Sequence, residues 1–275
     1  MTNASADATN WISVGALAQS FAPDNNNLVR SADLDGKTLT LHFADGRTAT
    51  CAFGKDGAIS FSGPAGRGDS HCLATCLRPG IYFVDFVLPD ARPPASVSLV
   101  LDLDRKVATS VVAQLPAGEV AHRSIFRQAQ QQQELTSVGA DIQFASIDRP
   151  FDAAAAHHAA TTELTGVRLQ HRYNPHEVYE HIYLNEHRYA WHCLSGAEKG
   201  LADVDRAHYI KIADKLYLFI WREKVVPTLG AVLVDLEQMK TTGKIFGYAD
   251  DSLSTVSNFQ VGAVSKLVNT TVHTL

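Results

Sequence analysis

Six of the twelve histidines, His171, His176, His181, His187, His192 and His208, fall between positions 171 and 208. Tyr173, Tyr179, Tyr183, Tyr189, Trp191, Tyr209, Tyr217 and Trp221 are interleaved with them. Imidazole changes charge near neutral pH, and aromatic walls around a few convergent polar groups make a small-molecule pocket. The pair His176 and His181 is spaced by five on a segment that reads as a strand, which sends the two rings to opposite faces. The helical zinc-protease motif needs both imidazoles on one helix face, so that site is set aside. No metal is assigned, although histidines brought together from different strands leave one open. His71, Cys72 and Cys76 lack a second ligand pair and read as structural residues with buried thiols.

Strand alternation sorts the candidates further. Along 177–184 one face carries Val178, Glu180, Ile182 and Leu184, and the other Glu177, Tyr179, His181 and Tyr183. Glu180 is the odd member of an apolar face. If that face points inward, its carboxyl is desolvated and its pKa raised, as suits a general acid or base. A buried ion pair with Arg206 or Arg222 is the competing reading. Arg222 ends the apolar stripe Leu216, Leu218, Ile220 and could hold a carboxylate or phosphate. His208 shares a face with Arg206, Ile210 and Ile212, and His192 with Ala190 and Leu194. The expected catalytic set is therefore Glu180 as acid or base, His208 or His181 as its partner, and Arg222 as clamp. Tyr179, Trp191, His192, Tyr217, Trp221 and Lys244 are the expected ligand contacts. No glycine-rich loop leads into a helix, and no Gly-x-Ser-x-Gly elbow is present.

The elements that must position these residues form a repeat. Ile81-Tyr82-Phe83-Val84-Asp85-Phe86 aligns with Leu216-Tyr217-Leu218-Phe219-Ile220-Trp221, and Leu34 and Gly36 align with Leu164 and Gly166. Matches in the same order at offsets near 130 to 135 residues indicate a duplicated domain. After the shared strand the first copy continues Val87-Leu88 where the second has Arg222-Glu223, so the chemistry is expected in the second copy. Asp-Gly turns between short alternating runs predict hairpins. The resulting antiparallel meander removes its edges by closing into a barrel, with a sandwich as the rival closure. The expected fold is all-β, two tandem lipocalin-like antiparallel barrels, each preceded by a short helix. Trp11 to Phe21 supplies the first helix and Asp152 to Ala160 the second. The domains read as 1–120, a glutamine-rich linker at 121–150, and 151–275.

With 45% hydrophobic residues, 19% charged and a net charge of −5, the 275-residue chain is globular and offers no encouragement to nucleic acid or membrane. Its expected partner is a small-molecule ligand, with a homo-oligomer left open. Residues 1–10 lack the features of a secretory signal, no run reaches about 18 apolar residues, and four unevenly placed cysteines suit a reducing cytoplasm.

The run His171-Arg172-Tyr173-Asn174-Pro175-His176-Glu177-Val178-Tyr179-Glu180-His181-Ile182-Tyr183-Leu184-Asn185 resembles the C-terminal domain of the molybdenum cofactor biosynthesis protein F (MoaF) family. So do Trp191-His192-Cys193-Leu194, Glu198-Lys199-Gly200-Leu201, Trp221-Arg222-Glu223-Lys224 and Thr242-Gly243-Lys244. Trp11, Val14-Gly15, Leu17-Ala18 and Leu34-x-Gly36 resemble the family's N-terminal domain. The resemblance implies a pair of lipocalin-like (calycin) barrels, and carries no settled chemistry. Two functions follow as expectations: a lyase or isomerase acting by acid–base chemistry on a small oxygenated or aromatic molecule, with no cofactor, or a non-catalytic carrier of a pterin-like ligand. A third makes the barrels an oligomerisation module.

Overall fold

A computed structural model describes residues 10–272 and 274. Residues 1–9, on which most of the expectation about a secretory signal rests, lie outside the described residues. Helix α1 (Val14–Phe21) is followed by eight strands: β1 (Thr38–Phe43), β2 (Thr48–Phe53), β3 (Ala58–Gly63), β4 (Gly66–Arg78), β5 (Ile81–Leu88), β6 (Ala95–Asp102), β7 (Val107–Gln114) and β8 (Gly139–Ile147). Each pairs antiparallel with the next, and β8 returns to β1, which closes the barrel. A short helix α2 (Ile125–Gln130) lies between β7 and β8.

After the two-residue strand β9 (Ala159–Ala160) come β10 (Val167–Arg172), β11 (Val178–Asn185), β12 (Arg188–Ser195), β13 (Ala202–Ala213), β14 (Leu216–Glu223), β15 (Thr228–Asp235), β16 (Lys240–Tyr248) and β17 (Val256–Thr270). They form the second antiparallel barrel, in which β17 pairs with both β16 and β10 and the β12–β13 ladder is a further closure.

Two expectations are corrected, and the first helix is found where it was expected. The stretch 121–150 is more than a linker, because it carries β8, without which the first barrel would be left with two unpaired edges. The segment from Asp152 to Ala160 is not a helix. Asp152 caps a turn through Ala154 N (2.9 Å), His158 Nδ1 is bound to Thr109 Oγ1 (2.8 Å), and Ala159 and Ala160 pair with β13. These tertiary hydrogen bonds override the helix preference of the alanines. Helix α1 exists and is capped by Ser13, yet it covers the second barrel, not the first that it precedes in sequence. Asn26 N donates to Tyr173 O at 2.9 Å, fixing the segment that follows it to the same barrel.

Each barrel has its own core, and a third apolar cluster joins their outer walls. Leu77, Ile81, Phe83 and Val100 of the first barrel meet Leu216, Leu218, Ile220 and Phe246 of the second. Polar pins cross this seam. Arg78 holds Asp235 through two bonds of 2.6 and 2.8 Å, and Thr75 and Thr242 share a hydrogen bond of 3.1 Å.

Candidate active site

In the second barrel the inward stripe is the aromatic one. On β14, Tyr217, Phe219 and Trp221 face the core, whereas Leu216, Leu218 and Ile220 face the first barrel. On β11, Tyr179 and Tyr183 point inward with His181, and on β12, Tyr189 and Trp191 do the same. Phe219 stacks on Tyr209 and Trp221 with centroids 5.6 and 5.2 Å apart. Gly230 stands opposite Trp221, and any side chain there would occupy the place of the indole.

These rings nearly fill the barrel, leaving a cavity of about 40 Å³ at one end. Its walls include Tyr179, His181, Tyr189, Trp191 and Trp221, its polar groups include Glu198 and Glu223, and Ile12, Val14, Leu17 and Phe21 roof it. Trp11 meets Trp191 edge to face at 5.8 Å, and Phe21 lies 4.6 Å from Tyr173.

Aromatic donors hold the carboxyls at this end. Trp221 Nε1 donates to Glu223 Oε1 (2.8 Å), Tyr179 OH to Glu198 Oε2 (3.0 Å), and Trp191 Nε1 to Asp205 Oδ2 (3.0 Å). Desolvation raises all three pKa values. Glu223 is held well above the ordinary range, by desolvation first and then by the charge of Asp205, against the opposing bond from Trp221. Among the described residues, Asp205 is the one of the three in a salt bridge, with Lys224 Nζ 3.3 Å from its Oδ1. Glu177, raised by burial, accepts from Ala197 N at 3.0 Å, and Gly196 (φ +130°) leaves room for that carboxyl.

Burial acts on the histidines in the opposite direction. His181 is held well below its ordinary pKa by desolvation, reinforced by His171, whose ring centre is 4.6 Å away. Its Nδ1 has no partner among the described residues. His171, lowered to about 4 by burial, is anchored through Nδ1 to Ser265 Oγ at 2.9 Å. The cavity end therefore combines a carboxyl and an imidazole that burial shifts in opposite directions, each toward its neutral form.

The structure separates the residues picked out from sequence. Tyr179, His181, Trp191 and Trp221 line the cavity. Tyr217 is also interior, but its hydroxyl donates to Glu163 at 2.8 Å and it does not line the cavity. Glu180, His192, His208, Arg222 and Lys244 lie on outward faces, which corrects their expected place in the site. Glu180 is paired with Arg168 through contacts of 2.7 and 2.8 Å, with His192 at 3.9 Å. Arg222 donates to Val138 O at 2.8 Å, and His208 opens onto an exterior cleft. Lys244 is buried at the seam, where it meets Ser96 and lies 3.2 Å from Asp85 and 3.4 Å from Asn258 Oδ1. On β13, β14 and β16 the seam makes the outer face as apolar as the inner one, so the stripes that carry His208 and Arg222 do not mark the interior, whereas the Glu180 face of β11 lies off the seam and ends at the exposed Leu184.

Glu198, Asp205 and Glu223 lay outside the expected set. Only Glu223 left a signal in the sequence, since it continues the two-residue rhythm Tyr217, Phe219, Trp221. Among the described residues, no group of three or more His, Cys, Asp or Glu is arranged to hold a metal ion.

The first barrel encloses a larger cavity, about 170 Å³, walled by Leu41, Phe43, Cys51, Phe61, Phe86 and Leu99, with Arg47 and Asp141 among its other lining residues. Burial pushes the Cys51 thiol up to about 12, which leaves it unreactive.

Residues 9–117 match the MoaF N-terminal domain and residues 158–271 the MoaF C-terminal domain. The chain belongs to the MoaF family. It is 42% identical over 263 residues to "Protein MoaF" of Klebsiella aerogenes, covering 96% of this chain and 97% of that one. A crystal structure of a "putative beta-lactamase" from Burkholderia vietnamiensis aligns with 38% of this chain and 95% of its own, at 14% identity and a TM-score of 0.33, a level that says nothing of activity. The MoaF C-terminal match spans all the cavity residues of the second barrel's strands, whereas the roof from Ile12 to Phe21 falls within the N-terminal match. The cavity is thus assembled from both halves of a MoaF chain. No described helix is long and apolar enough to cross a membrane.

Proposed function

We propose that this MoaF-family chain binds a small oxygenated or aromatic molecule in its second barrel and acts on it as a lyase or isomerase by acid–base chemistry, without a cofactor. The observation that carries the reading is the environment of Glu223. Its partly buried carboxyl has its pKa raised well above the ordinary range by desolvation, is bound by the Trp221 indole, and lines the cavity, so it is biased toward the protonated form. A neutral carboxylic acid can donate a proton, or a strong hydrogen bond, to a substrate oxygen at neutral pH. His181 is the complementary base: neutral, on the same cavity, with Nδ1 free to accept. Opposed pKa shifts on two cavity groups are the pattern of an acid–base pair. Glu198 and Tyr179 supply a second carboxyl and a phenol, and the tryptophans supply walls for a planar substrate.

A cavity of about 40 Å³ holds about three waters and is far smaller than the roughly 150 Å³ that takes up a benzene ring, so an aromatic substrate must displace the roof formed by α1 and residues 11–13. Free thiols at Cys51, Cys72, Cys76 and Cys193 suit a reducing compartment, which supports a cytoplasmic location.

The test is a panel of phenolic, hydroxy and keto acids incubated with the protein in D2O and followed by proton NMR for deuterium incorporation or product. Turnover of at least one compound, lowered about 100-fold in Glu223→Gln with the fold intact, is the expected result. Saturable binding without turnover would replace this reading by that of a non-catalytic carrier, of the pterin-like kind tied to molybdenum cofactor metabolism. Equal turnover by the variant would remove Glu223 from the mechanism.

A further inference from the structure

Arg188, Arg206 and Arg222 stand side by side on the outer wall of the second barrel. Arg188 is the direct cross-strand partner of Arg206, and Arg206 of Arg222. Like charges directly opposite one another destabilise a sheet, so this row calls for an anion. Among the described residues, the carboxylate that reaches all three is Glu134, from the segment after α2, at 3.6, 3.6 and 3.5 Å. Charge-assisted bonds of this kind run near 2.7 to 2.9 Å, as Arg168 and Glu180 show in the same barrel. Glu134 is shared loosely among three cations and satisfies none of them fully. The Nε atoms of Arg206 and Arg222 are enclosed without a hydrogen-bond partner.

The row borders open space. Arg206 and His208 line an exterior cleft together with His187 and Thr161. Burial first, then the charges of Arg222 and Arg206, lowers His208 to about 4, which reflects the positive field along this wall.

We propose that the arginine row is a binding site for a dianion of the phosphate class, whose place Glu134 holds in the absence of ligand. Three guanidinium groups against one carboxylate leave two positive charges. A phosphate group carries close to two negative charges at neutral pH and offers three acceptor oxygens to planar guanidinium donors. The site lies outside the barrel, so it stands or falls independently of the acid–base reading.

The test is calorimetric titration of the full chain, in chloride buffer, with inorganic phosphate and with phenyl phosphate. Both Arg206→Gln and the more exposed Arg188→Gln should weaken binding about tenfold or more, with unchanged circular dichroism, and Glu134→Gln should tighten it by about the same factor. A shift of the His208 imidazole resonances on titration places the anion at the row. Tighter binding of phenyl phosphate identifies a phosphate monoester as the ligand, and tighter binding of inorganic phosphate identifies the free ion. Absence of binding at millimolar concentration in both the wild type and Glu134→Gln overturns the proposal, as does affinity unchanged by both arginine substitutions.

Discussion

Tyr82 of the first barrel and Tyr217 of the second occupy matching positions, and each donates its hydroxyl to a carboxylate just ahead of the barrel's first long strand. Tyr82 meets Asp33 at 3.0 Å and Tyr217 meets Glu163 at 2.8 Å. Both carboxylates are followed by a buried leucine, Leu34 or Leu164, and then by a glycine of positive φ, Gly36 (+77°) or Gly166 (+83°). Moving along β5 and β14 from this shared latch, the inward pairs are Val84 with Phe219, Phe86 with Trp221 and Leu88 with Glu223. The barrels agree at one end and diverge at the other. The apolar choices leave the first barrel with an open, unreactive cavity, and the polar choices put an acid into the second. The frame that closes each barrel is common to both copies, and their far ends differ in polarity.

Exchanging the divergent residue should break the comparison most severely. Leu88→Glu places a carboxyl in an apolar interior where Phe86 offers no N–H in the role of Trp221. Lost packing and an unpartnered polar group together should cost about 4 kcal/mol in urea denaturation. A loss below about 1 kcal/mol would mean that the first barrel tolerates the acid as well as the second does, and the contrast between the interiors would collapse.

Titration should separate the barrels next. Glu223, with Glu198 and Asp205, has a folded pKa above its unfolded value. The stability it allows is fully present below about 4.5 and is lost as pH rises toward the folded value. His171 acts in the reverse sense. Held at about 4 instead of 6.5, it gives up about 3 kcal/mol as pH falls through that window. The second barrel is thus destabilised from both sides, and midpoints measured at pH 4, 6 and 9 should peak in the middle. Glu223→Gln should flatten the alkaline limb while leaving the acid limb in place. An unchanged alkaline limb would show that Glu223 ionises in the folded protein as freely as in water.

The strands were legible because aliphatic and aromatic runs, punctuated by Asp-Gly turns, leave few other structures for the chain. The duplication was legible for the same reason: the latch and the aromatic strand are written twice. What alternation could not decide was which face of each strand is inside. On β14 both faces are buried, one by the barrel's own rings and the other by the neighbouring barrel. Glu180 and Arg222 looked interior because their stripes are apolar, and those stripes are outward. The strand β8 was obscured by its polar surroundings, and the alanine run near 155 by hydrogen bonds to distant residues that local propensity does not report. Glu198 sits in a connection between β12 and β13, and its role depends on Tyr179 and the roof, neither of which is near it in sequence.

The smallest expected effect concerns the end at which the barrels agree. If the latch is a common device of closure, Tyr82→Phe and Tyr217→Phe should each lower the melting temperature by about 3 °C, since each removes one hydrogen bond and nothing else. The two need not match in pH dependence. Asp33 is held below the ordinary carboxylate range by Ser31 first and Tyr82 second, and Glu163 by Lys211 first and Tyr217 second. Lys211 Nζ lies 2.5 Å from Glu163, an ion pair with no counterpart in the Ser31 contact. Lys37 also acts on Asp33, but as the smallest of the influences on it, so added salt should weaken the second latch more than the first, because screening acts on a close ion pair far more than on a hydroxyl bond. Melting both variants against wild type at low and high salt checks this. A Tyr217→Phe loss that stays constant with salt would show that the Lys211 pair does not support the second latch, and a Tyr82→Phe loss of zero would show that only the second copy still uses the latch.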